Sequence, residues 1–232
     1  RLLAASGAPA EVGTIAGAVR VEAATLPSFD LHVPGDPSSA AFFIVGALVT
    51  PGSDVTVDDL CLNPTRVAFL DVLARMGGSV EVTETGTRGG EPVGSVRARH
   101  SPLGPFLVEG AEVPLLIDEV PALAVAAACA EGTSEVRDAL ELRAKESDRI
   151  QAVHVQLARA GIEVVTYADG FTVSGGTPQP AVFDSHGDHR IAMACAILGN
   201  ATAGASRVEG WPAVASSFPT FAEVLDDLTG ER

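Results

Sequence analysis

The run Glu141-Leu142-Arg143-Ala144-Lys145-Glu146-Ser147-Asp148-Arg149-Ile150 crowds acids, bases and a hydroxyl together in a chain that is 19% charged and 47% hydrophobic. An apolar helical pattern begins where it ends, with Ile150, Val153, Val155, Leu157 and Ile162. Ser147 or Asp148 suits the N-cap, because a short side-chain oxygen accepts from a free first-turn N–H. The other charges then fall in the loop and first turn, where unpaired N–H groups and the helix dipole favour an anion. Lys145 lies four residues before Arg149, and Glu146 three before it. If the helix already runs there, these side chains share one face. Two cations with a carboxylate between them suit an anionic substrate that also exchanges a proton. The plainer alternative is a solvated helix start with ordinary ion pairs, and this stretch alone leaves both open.

Comparable polar phrases open three strongly apolar helices. Gly35-Asp36-Pro37-Ser38-Ser39 precedes Ala40–Val49, Asp118-Glu119 precedes Ala122–Ala130, and Gly187-Asp188-His189-Arg190 precedes Ile191–Leu198. Helices apolar on nearly every face must be buried. Around them one order of elements recurs: strand, helix, strand, helix, strand, strand. The first unit reads Phe29–Val33, Ala40–Val49, Asp54–Val57, Thr65–Met76, Ser79–Thr83 and Val93–Arg99. The second reads Val113–Ile117, Ala122–Ala130, Ser134–Asp138, the helix ending at Gly161, Glu163–Tyr167 and Phe171–Ser174. The third reads Pro180–Asp184, Ile191–Leu198, Ser206–Glu209 and Phe218–Leu228, without a final strand pair. The expected fold is therefore α/β (α+β): repeated β-α-β-α-β-β units around buried parallel helices. Ahead of them, Arg1–Gly7 reads as the end of a helix, and Ala10–Ile15 and Ala18–Ala23 as a strand pair turning at Ala16-Gly17. Opening on the last turn of a helix suggests that the chain begins inside a longer protein.

Equivalent helix starts in such a repeat belong at one end of the lobe. That end would gather Asp118, Lys145, Glu146, Arg149, Asp188, His189 and Arg190. Cations beside helix N-termini bind phosphate or carboxylate, and neighbouring carboxylates can move protons. Each residue also has a structural reading. Asp118 and Asp188 could serve only as N-caps, and His189 as a satisfied structural histidine. Arg190 in a first turn opposes the dipole, which favours an external anion or a carboxylate partner. His32, His100, His154 and His186 show no metal-ligand spacing, and Ser38 or Ser39 reads as a cap rather than a nucleophile.

The composition excludes other classes. Lys plus Arg total 15 against 30 Asp plus Glu, a formal charge of −15 over 232 residues. That argues against a nucleic-acid or anionic-membrane surface. No apolar run is long enough to span a bilayer, and no signal peptide is expected after Arg1. Cys61, Cys129 and Cys195 are odd in number and far apart, so a reduced, cytoplasmic protein without disulfide or zinc is expected.

The phrases Gly35-Asp36-Pro37-Ser38-Ser39-Ala40, Asp118-Glu119-Val120-Pro121-Ala122-Leu123, Leu142-Arg143-Ala144-Lys145-Glu146-Ser147-Asp148-Arg149, Asp188-His189-Arg190-Ile191-Ala192-Met193 and Ser217-Phe218-Pro219 occur in this order. In them the chain resembles the 5-enolpyruvylshikimate-3-phosphate synthases, across the C-terminal half or so of that family's length. The resemblance implies a two-lobed fold with three such units per lobe. Residues 1–33 would be the tail of the first lobe and the hinge, and residues 34–232 the C-terminal lobe. It implies transfer of the enolpyruvyl group of phosphoenolpyruvate to the 5-hydroxyl of shikimate 3-phosphate, a step of aromatic amino acid biosynthesis, with no metal or organic cofactor. Asp118 would contact the shikimate ring and accept a proton, and Lys145 would bind shikimate 3-phosphate. Glu146 would exchange a proton with the methylene carbon. Arg149 and Arg190 would hold phosphoenolpyruvate, with His189 nearby.

Two positions depart from the family pattern. Ser216 stands where many members carry a lysine, and Glu141 where many carry an asparagine. The first-lobe motifs are absent, so these residues alone are expected to turn over little, and the parent protein is expected to be a monomer. In the family, strands from the N-terminus complete the last unit. Here the orphan pair Ala10–Ala23 would be loosely packed or fill that place, within the chain or between chains. The rival readings are a related transferase acting on UDP-N-acetylglucosamine, and a non-catalytic isolated lobe.

Overall fold

A computed structural model describes residues 1–8, 10–12 and 19–230. Helix α1 (Leu2–Ala5) and the antiparallel strands β1 (Ala10–Val12) and β2 (Val19–Val21) come first. The expected turn at Ala16-Gly17 lies outside the described residues. Among those described, β1 and β2 pair only with each other, so within this chain the strand pair does not complete the third unit.

The first unit holds α2 (Pro37–Val49), β3 (Asp54–Cys61), α3 (Ala68–Arg75), β4 (Ser79–Arg88) and β5 (Glu91–Arg99). Its sheet runs β3-β5-β4, antiparallel throughout. The strand expected at Phe29–Val33 does not form. Phe29, Leu31 and Val33 are exposed, Pro34 offers no N–H, and one parallel bridge from Gly35 to Leu60 is what this edge retains. The second unit holds β6 (Leu107–Val108), α4 (Val120–Ala128), β7 (Thr133–Val136), α5 (Arg149–Arg159), β8 (Glu163–Thr166) and β9 (Phe171–Ser174), with sheet order β6-β7-β9-β8. The strand expected at Val113–Ile117 is instead a 3-10 turn over Gly110–Leu115. Pro114 cannot donate to a ladder, and the burial of Val113 and Leu116 follows a spacing of three. The third unit holds β10 (Val182–Asp184), α6 (His189–Asn200), β11 (Arg207–Glu209) and α7 (Phe221–Thr229), with β10 parallel to β11.

The repeat therefore holds in three dimensions. In the second and third units the opening strand lies parallel to the strand after the buried helix. In the first two a hairpin then pairs antiparallel beside it. Helices α2, α4 and α6 pack against one another at the centre. Nearly every residue of α2 and all of α4 are buried. Close approach has a sequence cause: a Cβ on Gly46 of α2 would lie 3.3 Å from Ile197 of α6. Phe42 and Phe43 of α2 meet Phe221 of α7, joined by Trp211 and Phe218, so an aromatic cluster fixes α7 on the core. A hollow of about 540 Å³ lined by Thr50, Asn200 and Leu228 lies at the C-terminal ends of α2 and α6, away from the polar helix starts.

Candidate active site

The starts of α2, α4, α5 and α6 are tied together by side chains. Asp36 caps α2 through Ser39 N, with Pro37 in the first turn, so the cap is neither Ser38 nor Ser39 as the sequence suggested. Ser38 instead donates to Glu119, and Arg66 donates to both Asp36 and Ser38 at 2.9 Å. Asp188 caps α6 through Arg190 N at 2.9 Å and Ile191 N at 3.4 Å. Helix α4 takes no side-chain cap, because Leu116 O already accepts from Glu119 N and Val120 N, and Pro121 has no N–H. Asp118 is thereby left for other partners. Asp148 caps α5 through Gln151 N, so α5 starts at Arg149. Lys145 precedes the helix in extended backbone, and the shared helical face of Lys145 and Arg149 does not exist.

Arg149 is the hub. Its side chain is wholly buried, yet it reaches three carboxylates. Nε donates to Asp188 Oδ2 at 2.9 Å, Nη1 to Asp118 Oδ1 at 3.1 Å, and Nη2 to Glu146 Oε2 at 2.6 Å. Burial alone would push the Asp188 carboxyl up. The hydrogen bonds and charge of Arg149, with Ser147 Oγ and the Arg190 N–H, outweigh it and hold the carboxyl below its ordinary 3.8. Asp118 is the second junction. Besides Arg149, its carboxylate lies 3.6 Å from Arg190 Nη2 and 3.8 Å from Lys145 Nζ, and its carbonyl accepts from Arg190 Nη1 at 3.0 Å. Lys145 also pairs with Glu141 at 2.6 Å.

Thus Asp118, Lys145, Glu146, Arg149 and Arg190 form one connected cluster. His189 is half-buried at the start of α6. Burial and the charges of Arg190 and Arg149 pull it below its ordinary 6.5 against Asp188 and Glu146, which favours the neutral imidazole. The burial differs across the cluster in a useful way. Arg149 and Asp188 are sealed, whereas Asp118 and Glu146 are 41% and 49% exposed. The accessible carboxylates can exchange protons, and the cations behind them can receive an anion. Among the described residues no three His, Cys, Asp or Glu gather as a metal site.

Sequence reasoning missed one member. Glu119 is buried between the α2 start and Asp118. Burial pushes its carboxyl above the ordinary 4.5, while Ser38, Arg190 and Arg66 counter that and Asp118 adds to it. Its partner Ser38 is 81 residues away, and no local spacing signals such a pair.

The repeat around this site agrees with comparisons to known proteins. The family model described as EPSP synthase (3-phosphoshikimate 1-carboxyvinyltransferase) matches residues 1–225. The chain belongs to the EPSP synthase family. A curated 3-phosphoshikimate 1-carboxyvinyltransferase of Geobacter sp. (strain M21) is 46% identical over 98% of this chain and 53% of its own length. The Roseiflexus sp. (strain RS-1) protein of the same name is 46% identical over 97% of the chain and 53% of itself. The solved EPSP synthase from Acinetobacter baumannii superposes with a TM-score of 0.91 at 38% identity, covering 98% of this chain and 53% of that one. The enolpyruvyl transferase NikO from Streptomyces tendae has a TM-score of 0.69 at 19% identity, over 85% of this chain and 43% of its own, a likeness of fold alone. The chain spans about half the length of the curated relatives it matches. The architecture is that of one lobe of the enolpyruvyl transferase fold. These relatives lend no support to UDP-N-acetylglucosamine as the acceptor. No helix of the described residues is long and apolar enough to cross a membrane.

Proposed function

We propose that this EPSP synthase lobe supplies half of the site that transfers the enolpyruvyl group of phosphoenolpyruvate to the 5-hydroxyl of shikimate 3-phosphate, releasing phosphate. The observation carrying this reading is Asp118, an accessible carboxylate within 4 Å of the cationic groups of Lys145, Arg149 and Arg190, where four helices start. Both substrates are anionic, and three cations gather here against exchangeable carboxylate partners in a chain of net charge −15.

Arg149 and Arg190 hold phosphoenolpyruvate, with His189 beside them, and Lys145 holds shikimate 3-phosphate. Asp118 takes the hydroxyl proton while that oxygen bonds to the carbon bearing the phosphate. Glu146 delivers a proton to the methylene carbon, which becomes a methyl group in the tetrahedral intermediate. The methyl carbon then returns a proton, the carbon–oxygen bond to phosphate breaks, and the double bond re-forms. Arg149 reaches substrate by trading its accessible partners Asp118 and Glu146 while keeping sealed Asp188. Positioning two anions against fixed cations and two proton-transfer groups is the bulk of the catalytic task.

On this reading residues 1–33 belong to the preceding lobe and hinge, and residues 34–232 form the C-terminal lobe of a monomeric, cytoplasmic enzyme. The other lobe completes the site, and neither metal nor organic cofactor takes part. The test is inorganic phosphate release from phosphoenolpyruvate plus shikimate 3-phosphate. Full-length protein and the 232-residue chain are run side by side, with UDP-N-acetylglucosamine as a control acceptor. The expected result is release by the full-length protein with shikimate 3-phosphate only, and little by the shorter chain. No release by the full-length protein overturns the assignment.

A further inference from the structure

Glu141 has no part in the cluster's proton chemistry, yet it makes the shortest contact to Lys145. Its Oε1 lies 2.6 Å from Nζ, against 3.8 Å for Asp118 Oδ1. Glu141 lies within, and Lys145 directly follows, a short 3-10 helix, Leu140–Ala144, that is firmly anchored. Leu142 is wholly buried within it, and Arg143 donates to Ala168 O at 2.6 Å, to Tyr167 O and to Asp148 at 2.7 Å. The backbone under the Glu141–Lys145 pair is therefore fixed, and the pair itself can open. Glu141 is 62% exposed, so releasing it uncovers no buried charge, whereas Lys145 is only 21% exposed. Among the described residues, the other carboxylates touching this cationic cluster are all tied to Arg149. Asp188 caps α6, Asp118 spans three cations, and Glu146 pairs with Arg149 at the centre. Glu141 has Lys145 alone.

We infer that Glu141 sets the affinity of the site for its phosphorylated substrate: its carboxylate occupies Lys145 in the empty lobe, and the incoming anion must displace it. This rests on the reading of Lys145 as a ligand for shikimate 3-phosphate. An exposed pair of this kind is modest in strength and weakened by salt. Removing the competing charge should tighten binding about two- to five-fold at low ionic strength, the range implied by exposed ion pairs.

The experiment is a calorimetric cycle on the full-length protein with shikimate 3-phosphate as the probe. It compares the unmutated protein, Glu141→Gln, Lys145→Gln and the double variant. The expected result is tighter binding for Glu141→Gln in the Lys145 background, an effect that shrinks with added salt, and no gain in the Lys145→Gln background. Unchanged or weaker binding for Glu141→Gln overturns the inference, as does an equal gain without Lys145. Loss of shikimate 3-phosphate binding in the unmutated protein overturns the functional reading first and the inference with it.

Discussion

Replacing Arg149 with methionine should cost this lobe more than any other single change at the site, for an electrostatic reason. The guanidinium is wholly buried and carries two hydrogen bonds to Asp188, at 2.9 and 3.4 Å. Asp188 is wholly buried too and cannot turn to water. Removing one partner of a buried pair leaves the other uncompensated, at a cost of about 3–5 kcal/mol. Asp118 and Glu146 lose a partner as well, but both are partly exposed and rehydrate, so they add little. Asp188→Asn should cost less, about 1–3 kcal/mol. Its remaining oxygen still caps α6, and Arg149 keeps Asp118 and Glu146. The double variant should fall short of the sum of the singles by about 0.5–3 kcal/mol, because the two side chains are in contact. Urea unfolding followed by circular dichroism measures all three, provided the slope with denaturant is unchanged. The pair also predicts a pH dependence. The folded-state carboxyl of Asp188 lies below its unfolded 3.8, so its contribution is fully present above that value and is lost as pH falls through the folded pKa. The gap between the unmutated protein and Asp188→Asn should therefore hold at neutral pH and close in acid. A cost under about 1 kcal/mol for Arg149→Met, or strict additivity in the cycle, would refute the hub argument.

Glu119 gives the opposite sign. Its folded-state carboxyl is raised above 4.5, so stability should decline as pH rises from there through the folded pKa. Glu119→Gln, which keeps an acceptor for Ser38, should remove that slope and melt higher than the unmutated protein in alkaline buffer; a parallel pair of melting curves would contradict this. Asp118→Asn in the full-length protein should lower kcat by about 10²–10⁴-fold with melting temperature little changed, as expected for a lost proton acceptor. Gly170→Ala should lose about 1–3 kcal/mol, since the new Cβ would lie 2.0 Å from Val136 O and force β7 from the β8–β9 hairpin; unfolding at the unmutated urea midpoint would show that the strand yields.

Helix burial and the threefold repeat were legible because they depend on local pattern. Ala122–Ala130 has no polar face, so it must lie inside wherever the chain goes, and the hairpin around Asp169-Gly170 declares its own turn. Capping was legible at Asp148 and Asp188, which cap as one reading of each had it, even though Arg143 and Arg149 also bind them. It misled at Ser38, because a hydroxyl in the first turn of α2 can donate outward, and the buried Glu119 of another unit claimed it. It misled at Asp118 because the preceding 3-10 turn had already satisfied the amides of α4. Strands were least legible. Phe29, Leu31 and Val33 alternate like a strand but meet no partner, and a ladder belongs to two segments while a sequence pattern belongs to one.

The site follows the same division between local and non-local information. Residue types were readable from the two phrases that end in arginine, but their division of labour was not. Arg149 and Arg190 look equivalent in sequence, each an arginine at a helix start behind an aspartate. Arg149 sits on the far side of a cap: Asp188, which opens α6, turns its second oxygen to the guanidinium of α5 and seals it. Arg190 follows that same cap on its own helix and reaches instead to Asp118, 16% exposed at its side chain. One aspartate thus sorts two similar arginines by depth, Arg149 sealed until its accessible carboxylate partners give way and Arg190 approachable from the start. Since α5 and α6 belong to different repeats, that sorting exists only once the lobe has folded, which is why the depth of each charge, and with it the availability of each to an anion, had to come from three dimensions.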